Sequence, residues 1–305
     1  MPETPSLSPA WLLTGMGGVL GWGASEALPQ HAPVVIAARQ RSPLWQDHVG
    51  VHLDLATPGS IQRLVEEIGP EVVVHAACLS RAADCAADPE RTERINVQAV
   101  AELMAAAERV GTFVVYVSTE QVFSGTAERY FEDDRPDSQD VYGASKARAE
   151  ALVLAAGGAV ARLPLLLGAQ VDHPHGQLRC GADTAVRLAV QRGERPKLFT
   201  DEWRCPVAAD EAVQGLWRLA ASRRTGVVHL AGKQAVSRYE LGVMALQATG
   251  LEAQEIEPSS IQDFTGPPRQ ARLELDCRRA QEVLAWEPGD LRQSLARLSG
   301  LPRVP

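Results

Sequence analysis

The chain has 305 residues, with 30 Lys and Arg against 38 Asp and Glu, a formal charge of −8, and a hydrophobic share of 45%. Basic residues scattered singly or in pairs such as Arg223-Arg224 offer no clustered positive surface, which argues against a nucleic-acid partner. The five cysteines, Cys78, Cys85, Cys180, Cys205 and Cys277, contain no C-x-x-C pair, so neither a disulfide framework nor a metal site is expected. A chain of this length buries roughly 75% of its unfolded surface without such staples.

Residues 1–10, with three prolines and no basic run, read as a flexible leader rather than a signal peptide. From Trp11 onward short β-branched runs alternate with longer amphipathic ones, the pattern of βαβ units on a parallel sheet. Strands are expected at 11–14, 34–37, 71–75, 113–117 and 160–163, apolar almost throughout as strands covered on both faces must be. Helical spacing runs through 60–68, with Ile61, Leu64, Val65 and Ile68, and through 96–110, where the Leu and Met stripe reads as core. The most apolar stretch, 151–169, is broken by Gly157-Gly158, Arg162 and Pro164 and fits no membrane span. Beyond Gly168, His173 and His175 lack nearby acids and read as a solvated turn; an amphipathic stretch follows at 183–192 and a further buried strand at 226–231. The expected architecture is a Rossmann-type, doubly wound α/β dinucleotide-binding domain over 11–168 that also receives the strand near 226–232. A smaller carboxyl-terminal lobe, 169–305, interleaves with it, and the expected location is the cytoplasm.

Thr14-Gly15-Met16-Gly17-Gly18-Val19-Leu20-Gly21 joins the first strand to a helix expected from Trp22. Glycines there let the backbone approach a pyrophosphate, whose charge meets free N–H groups and the positive end of the helix. No Lys-Ser or Lys-Thr follows Gly21, which excludes a nucleoside-triphosphate P-loop. The second strand ends in Ala37-Ala38-Arg39, with an arginine where an acid would favour a free ribose 2′-hydroxyl. That choice favours a 2′-phosphate, hence NADP(H) over NAD(H), unless Arg39 is only a surface residue at a strand end. Asp54-Leu55 suits the adenine rim or, alternatively, a helix-start acid before Thr57-Pro58.

Tyr142-Gly143-Ala144-Ser145-Lys146 sets a phenol and an ammonium four positions apart, on one helical face. A fixed positive charge beside a tyrosine favours the phenolate and brings an otherwise weak acid-base toward neutral pH. The strand 113–117 runs into Ser118-Thr119, whose hydroxyls lie at the carboxyl end, where open α/β sheets bind ligands; Thr119 is the better candidate to hold a substrate oxygen, with Ser118 the fallback.

With these residues in view, the chain resembles the extended short-chain dehydrogenase/reductases: the T-G-x-x-G-x-x-G turn, the set Thr119, Tyr142 and Lys146, and residues 70–77 before Asn96-Val97. Within them it is most similar to the dTDP-4-dehydrorhamnose reductases, through Asp84-Cys85, Ser118-Thr119-Glu120-Gln121-Val122-Phe123, Glu132-Asp133-Asp134 and Asp201-Glu202-Trp203-Arg204-Cys205-Pro206. The resemblance implies an NADPH-dependent reduction of a nucleotide-activated 4-keto-6-deoxy sugar and, by the habit of extended members, a homodimer. It places Ala76 and Ala77 along the dinucleotide, Glu120, Val122 and Phe123 along the sugar, and Arg204 and Arg269 near a diphosphate unless they are surface arginines. Thr119-Glu120-Gln121 has one acid where 4,6-dehydratases carry two, which disfavours dehydration. Two alternatives remain: an epimerase holding NAD⁺, and a non-catalytic NADP-binding subunit like the regulatory chain of methionine adenosyltransferase.

Overall fold

A computed structural model describes residues 10–27, 33–40, 43–45, 47–168, 171–172 and 178–300. Residues 1–9 of the expected leader, His173, His175 and the end of the first expected helix at Leu28 lie outside these. Seven parallel strands form the central sheet: β1 (Trp11–Thr14), β2 (Val34–Ala38), β3 (Val49–His52), β4 (Val72–His75), β5 (Phe113–Thr119), β6 (Ala159–Leu163) and β7 (Gly226–His229). Their order is β7-β6-β5-β4-β1-β2-β3, so the chain moves outward from β1 in one direction and returns past it in the other. That reversal creates the crevice at the strand tips where ligands bind in such folds.

Alternation along each strand sends side chains to two separate cores. Leu13, Val74, Val115 and Ala161 join one cluster, roofed by α1 (Val19–Glu26) and α5 (Ala209–Ser222). Leu12, Val73, Val114 and Val160 join the other, under α2 (Ser60–Ile68), α3 (Ala99–Val110) and α4 (Val141–Ala155). Each such Val or Leu contributes roughly 1.5–3 kcal/mol by burial, which is why these short runs tolerate no polar residue until their tips. β7 pairs with β6 from Gly226 opposite Ala159 to His229 opposite Arg162, so a strand from the carboxyl-terminal half completes the sheet.

Helix α1 begins at Val19, before the expected start at Trp22, because Gly18 already serves as its cap residue in an extended conformation. The 96–110 helix divides: a π-helical turn, Arg94–Gln98, precedes α3. Among the described residues no helix is long and apolar enough to cross a membrane.

Candidate active site

Helix α4 carries the Tyr142 to Lys146 stretch, and its start is fixed by a cap. Asp140 accepts a hydrogen bond from the Gly143 N–H at 2.8 Å, which puts Tyr142 in the first helical turn. Gly143 has a steric reason: a Cβ there would run into the carbonyl oxygen of Gln121, in the turn that follows β5. The missing side chain lets the helix close onto the strand tip that carries Thr119, and Thr119 comes close enough to act on the Tyr142 phenol. Thr119 Oγ1 also accepts from the Gln121 N–H at 3.2 Å.

Lys146 is 1% exposed. Its Nζ donates to the Val117 carbonyl at 2.7 Å and sits 4.0 Å from the centre of the Tyr116 ring. Burial pushes its pKa down. Burial likewise raises the Tyr142 phenol well above its ordinary value, the Cys78 thiol beside it adds to the rise, and Thr119 opposes it. The sequence expectation is that Lys146 draws Tyr142 toward neutral pH; in this state burial sets the direction of the shift. Tyr142 stands as a protonated phenol, the form able to give a proton to an oxygen.

A second line of contacts, not anticipated from sequence, fixes the helix from behind. Asn96, in the π turn, accepts from the Leu79 N–H at 2.8 Å and donates to the Leu79 carbonyl at 3.0 Å and to Ser145 Oγ at 3.0 Å. Ser145 Oγ in turn donates to the Tyr142 carbonyl at 2.7 Å. The extra residue of the π turn is the local irregularity that aims Asn96 at both neighbours, a frequent use of such turns.

Across the tip of β1, Gly15 adopts φ +76°, and a Cβ there would strike the backbone of Ala77. Thr14 Oγ1 accepts from the Ala77 N–H at 3.2 Å and shares a hydrogen bond with His75 Nδ1 at 3.0 Å, tying the tips of β1 and β4 together. His75 is fully buried, and desolvation, then Lys146, lowers its pKa to about 3, so the ring is neutral. Gly18 makes no side-chain cap to α1, leaving the first amides of that helix to a ligand anion. Met16 and Gly17 line a cavity with the exposed Arg39, whereas the Leu20 side chain packs into the core below. Gly15 to Leu20, Ala76 and Ala77 thus surround one strand-tip turn whose close backbone approach fits a dinucleotide pyrophosphate.

Other expected contacts are placed differently. Asp54 Oδ1 accepts from the Ala56 N–H at 3.0 Å in a local turn, while α2 starts later, behind Gly59 and without a side-chain cap, so Asp54 is not a helix-start acid; Leu55 is a core residue. Val122 and Phe123 are completely buried. Phe123 stacks on Tyr130 with ring centres 4.1 Å apart, so these two support the site from inside rather than line a sugar. Arg204, 5% exposed, is taken up internally: Nε meets Glu120 Oε1 at 3.1 Å, and the terminal nitrogens meet Glu202 Oε1 at 3.1 Å and the carbonyls of Trp203 and Gln270 at 2.7 and 3.0 Å. With four of its five N–H donors turned inward and the side chain buried, it is held by the protein rather than offered to a diphosphate, which corrects its expected role. Arg269 is half-exposed and forks onto Glu202 at 2.6 and 2.9 Å. Glu120 is buried with Oε2 unpartnered among the described residues; desolvation raises its pKa to about 7 against the pull of Arg204.

Comparison with known proteins bears on the family and the fold. A model of the RmlD substrate binding domain family matches residues 10–300. The chain belongs to that family. Among relatives of this RmlD-family chain, the methionine adenosyltransferase 2 subunit beta of Bos taurus is 27% identical over 284 residues, covering 89% of this chain and 81% of that protein. A dTDP-4-dehydrorhamnose reductase of Burkholderia thailandensis is 31% identical over 231 residues, covering 72% and 71%. In fold, the chain is similar to the dTDP-4-dehydrorhamnose reductase of Bacillus anthracis solved in complex with NADP, with a TM-score of 0.82 at 19% identity over 95% of this chain and 98% of that one.

Proposed function

We propose that this chain reduces a nucleotide-activated 4-keto-6-deoxy sugar with NADPH. The observation that carries the reading is the meeting of three groups at one strand tip: Tyr142 and the buried Lys146 stand on one face of α4, and Gly143 lets that helix close against the turn that follows Thr119. When bound over the glycine turn, NADPH supplies the hydride. Thr119 holds the keto oxygen, and Tyr142 gives that oxygen its proton as charge develops on it. Lys146, its ammonium within the same buried pocket, then stabilises the phenolate left behind. The Asn96 to Ser145 contacts keep Tyr142 in place through the step, so little orientational freedom is lost at the moment of transfer. The reductase relative at 31% identity supports the substrate class, and Arg39 in place of an acid supports the phosphorylated cofactor.

A second reading, a non-catalytic dinucleotide-binding subunit, is favoured by the similarity to methionine adenosyltransferase 2 subunit beta along 89% of this chain. One experiment separates the two. The purified chain is given NADPH or NADH with a panel of dTDP- and GDP-linked 4-keto-6-deoxy sugars, and loss of reduced-nicotinamide absorbance is followed. Consumption of NADPH in preference to NADH with at least one sugar is the expected result. Tight NADPH binding with no consumption across the panel would establish the subunit reading instead.

A further inference from the structure

Beside the glycine turn lies a cavity of about 160 Å³ whose lining includes Met16, Gly17, Arg39, Gln40, Trp45 and His52. β2 and β3 run parallel with Ala38 opposite His52, and residues opposed in this way project to the same face. His52 therefore stands on the face that carries Ile36, Met16 and Trp45. The Trp45 indole N–H donates to the Met16 carbonyl at 2.7 Å, which fixes the ring as a wall and ties that wall to the turn. A Cβ on Gly17 would meet nothing within 4 Å, so the cavity opens toward the place where a dinucleotide would cross the turn.

Among the described residues the lining supplies a guanidinium, an imidazole and an amide, and no carboxylate. Arg39 is exposed and, among the described residues, forms no ion pair. A ribose phosphate is a dianion with three acceptor oxygens, more than one planar guanidinium can satisfy from a single side. Among the described residues, the other basic side chain lining the cavity is the imidazole at the tip of the edge strand. We propose that His52 is a second donor to the 2′-phosphate of NADPH, acting with Arg39 to make the chain select the phosphorylated dinucleotide. The proposal rests on the NADPH reading above and adds to it the residue that sets cofactor choice.

Because His52 is exposed on an edge strand, its replacement leaves the core packing untouched. Calorimetric titration of the full chain with 2′,5′-ADP and with 5′-AMP reads the 2′-phosphate contact directly, with no turnover involved. The wild-type chain binds 2′,5′-ADP the more tightly. His52→Ala weakens 2′,5′-ADP by about tenfold, the scale of one charge-assisted hydrogen bond, and leaves 5′-AMP unchanged, while His52→Asn, which keeps an N–H donor, recovers part of the loss. Equal weakening of both ligands, no weakening of either, or a wild-type chain indifferent to the 2′-phosphate overturns the proposal. A chain that binds 2′,5′-ADP through His52 yet consumes no ketosugar upholds this inference and defeats the reductase reading, so the two failures are distinct.

Discussion

On the dinucleotide side of the site Arg39 stands exposed at the tip of β2, beside an open cavity and without an ion pair among the described residues. On the side beyond Thr119, Arg204 is 5% exposed and divided among Glu120, Glu202 and two carbonyls. The same side chain thus does opposite work at two ends of one site. A guanidinium recognises a ligand only with donors left over, and how many are left is decided by the neighbours the fold brings to it. At Arg39 the described residues bring no ion pair; at Arg204 they bring two carboxylates, and the residue becomes a bracket joining the tip of β5 to the strand Trp203–Arg204 of the carboxyl-terminal half.

The contrast breaks most visibly at Arg204. Arg204→Ala leaves Glu120 buried without its partner and removes one of the partners of Glu202, at a cost of about 3–5 kcal/mol, seen as a fall in the urea midpoint. A stability loss below about 1 kcal/mol, coupled to a raised KM for sugar, would make Arg204 a substrate contact after all. The next effect lies within the glycine turn. Gly15→Ala forces alanine to φ +76° and drives its Cβ into the Ala77 backbone, costing at least about 2 kcal/mol by thermal denaturation. The smallest is Gly17→Ala, whose Cβ meets only open space: stability stays within about 0.5 kcal/mol while NADPH binding weakens. Equal destabilisation by the two glycine variants would show that the turn is not open on the cofactor side.

What the sequence discloses follows the same division. The sheet was legible because its strands are covered on both faces: Val72–His75 and Ala159–Leu163 are buried at every position and apolar except at His75 and Arg162 near their tips. Tyr142 and Lys146 were legible because four residues on a helix fix their relation, and the fold supplies only the Gly143 contact that brings them to Thr119. Asp54 could be read two ways from sequence; in the fold it closes a local turn with Ala56 ahead of α2, and Gly59 takes the cap position. Arg204 and Phe123 were misplaced because their partners are remote: Gln270 lies 66 positions from Arg204, and Phe123 is buried against Leu273 and Leu275 of the carboxyl-terminal half. Trp45 gave no signal of its own, since the carbonyl it fixes belongs to Met16, 29 positions earlier. Nor did spacing reveal that burial sets the direction of the shift at Tyr142, because desolvation belongs to the assembled site.

The account turns on the Tyr142 proton, and Tyr142→Phe tests it with one atom removed. NADPH affinity by calorimetry and ketosugar-dependent NADPH consumption are measured side by side on that variant and the wild-type chain. The expected result is affinity unchanged within about twofold and consumption reduced by about 10²–10⁴, the range for loss of a positioned general acid. A variant that consumes NADPH at the wild-type rate, or one that loses affinity and consumption together, would contradict the role given to Tyr142.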